Sequence, residues 1–264
     1  MTSGSLPSRG RQNAREELML KRRIAAFSLL EMALVLSIIG IISAYTIPAL
    51  LQNRATARRL ETDSKLESVI CALAGYVQVH QRLPGPANPA ATGADVGIEQ
   101  RDLSTGVLPY RTLGIQESDA KDGFRHWISY SASQDLTGDN THVQRLASMG
   151  RRPIASDMQD DTNHFCHVRP HLVRLDVRNA QGQSLLATGH FDDFIAFVLV
   201  SHGSSGAGSF DDVGQRRLAT GDKLQNFGAT PFIDRPITKE YDDRVRWVSR
   251  NNLMAMYAKQ PCKP

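Results

Sequence analysis

The sequence predicts an α+β protein: a long N-terminal α-helix, membrane-spanning in its first half, packed on an antiparallel β-sheet head. Three observations predict it. A nearly uncharged apolar block runs from Phe27 to Leu51. It continues without a proline into an amphipathic stretch that reaches His80. Beyond a Pro/Gly break at residues 82–86, short β-type runs alternate with loops and show no βαβ regularity.

The charge distribution isolates the first segment. Residues 1–26 carry Arg9, Arg11, Arg15, Lys21, Arg22 and Arg23 against Glu16 and Glu17, a net of +4 that equals the net charge of the whole 264-residue chain. The remainder is neutral, so the basic pI of about 9.1 describes a short leader and gives no reason to expect nucleic acid as a partner.

The apolar block is built of Leu, Ile, Ala and Met, which favour helix. As a helix it is roughly 37 Å long, enough for a hydrocarbon layer of about 30 Å. It is too long for the apolar core of a secretory signal, and nothing after Tyr45 gives a clean small-x-small cleavage site; a plain signal anchor is the alternative. Lys21, Arg22 and Arg23 flank its N-terminal end and place that end in the cytoplasm by the positive-inside rule. One carboxylate, Glu31, interrupts the block. A charge in a spanning helix costs a few kcal/mol and calls for a partner. The amino group of a neighbouring chain, freed by a cut before Phe27, would supply one.

After the block, Leu66, Val69, Ile70, Leu73, Ala74 and Val77 recur at helical spacing, with Arg58, Arg59, Glu61, Asp63, Lys65 and Glu67 on the wet face. This half of the helix should lie on a sheet. A helix from Phe27 to His80 would be roughly 80 Å long, and Arg82-Leu83-Pro84-Gly85-Pro86 ends it. Residues 84–123 read as irregular loop. Strands are expected at Arg125–Ser131, His171–Val177, Phe194–Ser201 and Arg244–Val248, and a short helix at Asn251–Ala258; residues 132–165 are polar and without pattern.

Ala26-Phe27-Ser28-Leu29-Leu30-Glu31 resembles the processing site of type IV prepilins: a small residue, the cut, Phe, and Glu at the fifth mature position. Gly40 and Pro48 fall at two further landmarks of the pilin N-terminal helix. The usual residue before the cut is Gly; here it is Ala26, and the leader is long. Further stretches resemble a branch of the family with a helix-end LPxPA motif: Gly75-Tyr76, Arg82–Ala87, Gly106–Gly114, Ala196–Gly203, and Asp242-Asp243 followed by Trp247–Asn251. Where such relatives often carry Cys inside the motif, this chain has Gly85.

The resemblance implies a pilin-like lollipop with four parts: a basic leader (1–26), a transmembrane and assembly half-helix (27–51), an amphipathic half-helix (52–82) and a periplasmic β-rich head (83–264). A prepilin peptidase would cut between Ala26 and Phe27 and N-methylate Phe27. The subunit would sit in the bacterial inner membrane with a single pass, head in the periplasm, and pass through an inner-membrane assembly platform into a pilus or type II secretion pseudopilus. Its partners are other pilin or pseudopilin subunits and the lipid bilayer. Glu31 serves assembly, and Gly40 and Pro48 let the helix bend. The chain's length argues for a minor subunit, and Glu31 argues against the tip-most pseudopilin.

Cys71, Cys166 and Cys262 allow three single bridges or none. The disulfide-closed C-terminal loop of many pilins favours Cys166–Cys262, with Cys71–Cys166 next. The run His202–Ser209 lacks G-x-S-x-G and Walker spacing and reads as a glycine-rich surface loop. His164, Cys166 and His167 lack a second ligand pair at zinc-finger spacing. Asp192-Asp193, Asp211-Asp212 and Asp242-Asp243 read as solvated turns. The calcium that some pseudopilins hold is a weaker alternative, because D-x-[DN]-x-[DN]-G is missing. No cofactor and no catalytic role are expected. The competing class is a membrane-anchored periplasmic adhesin or enzyme carrying a pilin-type leader, which would need a concave site with converging polar groups.

Overall fold

The computed structural model describes residues 28–80, 82–137, 174–186, 194–228 and 230–257. The chain divides into two compact units, Met1–Arg54 and Ala55–Pro264, and both share the first helix, α1 (Leu29–His80).

In the first unit α1 is apolar and open on every side. Leu29, Leu34, Leu36, Ile38, Ile39, Ile41, Ile42, Ile47 and Leu50 are all exposed. The helix is long and apolar enough to cross a membrane. It starts at Leu29 rather than Phe27, and it runs through Pro48 as helix.

The second unit is an α+β head. Its main sheet has the order β1-β2-β4-β6, all antiparallel: β1 (Thr105–Val107), β2 (Ser129–Ala132), β4 (Ile195–Ser201) and β6 (Arg244–Ser249). A second pair, β3 (Val177–Arg178) with β5 (Phe232–Ile233), is parallel. Short helices α2 (Tyr110–Leu113), α3 (Gln134–Thr137) and α4 (Asp222–Gln225) sit in the connections, and α5 (Arg250–Tyr257) follows β6.

The expected stripe of α1 is its packed face. Leu66, Val69, Ile70, Leu73 and Ala74 are buried against Ile128, Tyr130, Phe197, Leu199, Val248 and Leu253. Each such side chain contributes about 1.5–3 kcal/mol by leaving water. The other face of β4 buries Ile195, Val198 and Val200 with Val177, Phe232 and Val245. A strand covered on both faces requires an unbroken apolar run, which explains why Phe194–Val200 reads so plainly in the sequence.

Several expectations need correction. Arg125–Ser131 is not strand throughout: Asp122 Oδ1 accepts the amides of Phe124 and His126 (both 2.9 Å), holding a turn in which Arg125 has φ +69°, and β2 begins at Ser129. The loop expected over 84–123 contains β1 and α2. His171–Val177 reduces among the described residues to the two-residue β3, beginning at Val177, and most of residues 132–165 lies outside the described residues. Asp63 and Lys65 are not purely wet: Asp63 takes Arg244 (3.0 Å) and Arg246 (3.4 Å) of β6, and Lys65 donates to Ser118 O (3.0 Å).

The helix exit is held by one carboxylate. Glu99 accepts two bonds from Arg82 (2.8 and 2.6 Å) and one from the Gly85 amide (2.9 Å). Burial opposes ionisation of Glu99, but these bonds prevail and hold its pKa below the ordinary value. A Cβ on Gly85 would stand 2.5 Å from Gln100 O. No side chain, cysteine included, fits there without moving backbone, which is the physical reason the motif reads Pro-Gly-Pro.

Candidate functional site

Two regions carry the residues singled out above: the exposed half of α1, and the polar interior of the head.

Ser28 precedes the first turn of α1, and its Oγ accepts the Leu30 amide (3.3 Å). Glu31 lies in that turn and is exposed. Ser28-Leu29-Leu30-Glu31 has the spacing of a capping box, a signal the sequence reading passed over. Glu31 therefore sits at the positive end of the helix dipole, worth about 0.3–1 kcal/mol to a carboxylate, rather than deep in the span. Gly40 is exposed in mid-helix, and a Cβ there would meet no atom within 4 Å. Among the described residues nothing requires glycine at that point, although glycine costs a helix about 1 kcal/mol relative to alanine. Pro48 lies within the helix and cannot donate to the carbonyl one turn back. Ala26, Phe27, Cys166, Cys262, His164, His167, Asp192 and Asp193 lie outside the described residues. Cys71 is exposed on α1.

The head interior is more polar than the sequence reading allowed. The run after β4 is not a surface loop. His202, Gly203, Gly206, Gly208 and Ser209 are buried, and Ser204 and Ser205 turn onto Asp242. Asp242 Oδ2 accepts the Ser205 amide (2.8 Å) and Ser204 Oγ (2.9 Å); Oδ1 accepts Ser205 Oγ (2.9 Å) and an ion pair from Lys223. Burial alone would raise the pKa of Asp242, but Lys223 and the serine donors outweigh it and hold it down to about 2. Gly203 makes the turn possible: its φ is +57°, and a Cβ would lie 2.3 Å from Asp242 O.

Beneath this lies a sealed cluster. Ser129 Oγ and His202 Nε2 are 2.9 Å apart. His202 Nδ1 is 3.8 Å from Asp243 Oδ2, which accepts from Asn226 Nδ2 (2.9 Å). Nearby, Ser201 Oγ donates to Asp122 Oδ2 (2.6 Å). Burial, helped by the charges of Arg216, Lys223 and His126, pushes His202 down to about 3, so its ring is neutral in the physiological range. Burial pushes Asp243 up to about 6 despite the Asn226 bond and Lys223. The order Ser–His–Asp matches a hydrolase triad in kind. However, Ser129, His202 and Asp243 are 3%, 0% and 2% exposed, so no substrate reaches the hydroxyl. Ser205 is exposed and 2.6 Å from Lys223 Nζ, which is also engaged by the Asp242 carboxylate. The adjoining cleft, lined by Thr62, Ser204, Asp242 and Arg244 among others, encloses about 10 Å³, room for about one water.

Of the acidic pairs, Asp242-Asp243 departs from the solvated turn expected, whereas Asp211-Asp212 is such a turn. Asp243 is buried, and the Asp242 carboxylate is occupied by Lys223. Asp211 closes a turn by accepting the amides of Val213 and Gln215, and Asp212 is exposed. Among the described residues no cluster of His, Cys, Asp and Glu could hold a metal.

Compared with known proteins, the chain matches no family model, no curated protein and no solved structure.

Proposed function

We propose that the chain is a structural subunit of the type IV pilin-like class, a minor pilin or pseudopilin. A prepilin peptidase processes it between Ala26 and Phe27 and methylates Phe27. It assembles through the apolar half of α1, from the inner membrane, into a pilus or type II secretion pseudopilus. The observation that carries this reading is the register of Ala26, Phe27, Glu31, Gly40 and Pro48 along one apolar helix that follows a basic leader. The exposure of Leu29, Leu34, Leu36, Ile39, Ile41, Ile42, Ile47 and Leu50 supports it, because a row of bare Leu and Ile calls for lipid or other helices. Gly40, against which no described residue packs, supports it as well.

The test is the intact mass and N-terminus of the protein from membranes of cells with and without prepilin peptidase. A chain beginning at methylated Phe27, found only when the peptidase is present, is the expected result. A full-length chain in both strains would mean that Ala26 blocks the cut, leaving a permanent anchor and ending the fibre-subunit reading.

A further inference from the structure

Immediately after the apolar block, the helix carries Arg54, Arg58 and Arg59, all exposed. No Asp or Glu occurs between Glu31 and Glu61. Several arginines of the described head do form ion pairs: Arg82 and Arg101 with Glu99, Arg178 with Asp176, Arg235 with Asp222, and Arg244 and Arg246 with Asp63. Among the described residues, Arg54, Arg58 and Arg59 form no ion pair. The nearest carboxylates along the helix are already engaged, Glu61 with Lys65 (2.9 Å) and Asp63 with the β6 arginines. The closest aromatic partner, Phe124, lies 5.9 Å beneath the Arg58 guanidinium and leaves its donors open.

Measured along the helix from Leu51, the three arginines fall about 4.5 to 12 Å beyond the apolar block. The headgroup layer is about 5–7 Å thick on each side of the hydrocarbon, and arginine stems can reach back toward it while the charged ends stay wet. We propose that Arg54, Arg58 and Arg59 form a basic collar that binds the phosphates of anionic phospholipids at the head-side surface of the bilayer. This rests on the membrane-spanning reading given above. It adds a handover of charge. While the leader is present, cations flank both ends of the apolar block. Once a cut before Phe27 removes Lys21, Arg22 and Arg23, the collar is the positive anchor that remains. Each arginine near an anionic surface is worth about fivefold in affinity at low salt, which screening reduces.

The probe is the full chain in neutral detergent micelles, titrated with phosphatidylglycerol or phosphatidylcholine, with bound lipids counted by native mass spectrometry. The wild type should prefer phosphatidylglycerol by about tenfold or more, falling as salt rises. The R54Q/R58Q/R59Q chain, with its leader intact, should lose most of that preference while its head melts at the same temperature. A variant that keeps the wild-type preference overturns the collar and assigns the lipid to the leader. Cross-linking between copies that weakens in the variant while lipid counts stay unchanged overturns it in favour of carboxylates on a neighbouring subunit. Protease shielding of Leu29–Leu51 in mixed phosphatidylcholine–phosphatidylglycerol vesicles reports separately on the span. Digestion there defeats the membrane reading and the collar together, and shielding with no effect of the triple substitution defeats the collar alone.

Discussion

The two units of this protein invert the usual placement of side chains. In the first, Leu, Ile and Val stand exposed along a helix; in the second, Ser129, Ser201, His202, Asn226 and Asp243 are sealed inside. Each inversion has a different cost and remedy. Bare apolar surface is relieved by something outside the chain, whether lipid or other helices. Buried polar groups have to be satisfied from within, and here they nearly are: Asn226 donates through Nδ2 to Asp243 Oδ2 and Tyr241 Oη and accepts the Ile233 amide at Oδ1, while Tyr241 Oη donates to Ile233 O. The first unit is therefore completed by its surroundings, and the second by its own chain.

Four substitutions test that contrast. Phe197→Ala, which hollows the seam between α1 and β4, should cost the head about 3–5 kcal/mol in urea unfolding of the full chain in detergent. A loss under 1 kcal/mol would mean that the helix is not seated on the sheet. Lys223→Met leaves Asp242 and Asp243 without their cation and should cost about 3 kcal/mol. If it is neutral, the polar interior does not organise the head.

His202→Asn should show its effect in pH dependence. The folded-state pKa of His202 is about 3, below the unfolded 6.5, so the wild type binds fewer protons folded than unfolded and loses stability as pH falls from 6.5 toward 3. Asp243 has the opposite sign. Its folded value of about 6 lies above 3.8, so its contribution is complete below 3.8 and is lost as pH rises through 6. Between pH 4 and 6 the two slopes oppose each other. Removing His202 exposes the Asp243 slope: relative to wild type, the variant should gain about 2–3 kcal/mol between pH 7 and 4, read from denaturant midpoints. A pH-independent difference would refute the pairing. The smallest effect belongs to the first unit. Leu36→Ala should change head stability by less than about 0.5 kcal/mol in detergent, because Leu36 is 63% exposed.

The sequence makes the periodic and the continuous parts of this fold legible. The α1 stripe, the apolar β4 run, β6 and α5 (Arg250–Tyr257, against the expected Asn251–Ala258) stand close to where pattern places them. Strands of two or three residues were missed, because Thr105–Val107 and Phe232–Ile233 are too short to show a period of two. The polar interior was misread for a different reason. Its members come from distant segments, and a run such as His202–Ser209 has the composition of a surface loop. What distinguishes it is Gly203, a residue needed for close approach to Asp242 rather than for a free turn. The helix start is a further local signal, legible in Ser28 three residues before Glu31.

The buried cluster also dictates when the head can be finished as the chain is made. Ser129 meets His202 across 73 residues, and Ser201 meets Asp122 across 79. Asp242 and Asp243 arrive later still, bringing the contacts to Ser204, Ser205, Lys223 and Asn226. A nascent chain that has emerged through Asn226 can lay Phe197 and Leu199 against α1, but His202, Lys223 and Asn226 lack their carboxylate partners until Asp242 and Asp243 follow. The polar interior is thus completed only when the segment leading into the last strand is made, and a chain truncated before Asp242 keeps Lys223 and Asn226 without the carboxylates they meet in the folded head.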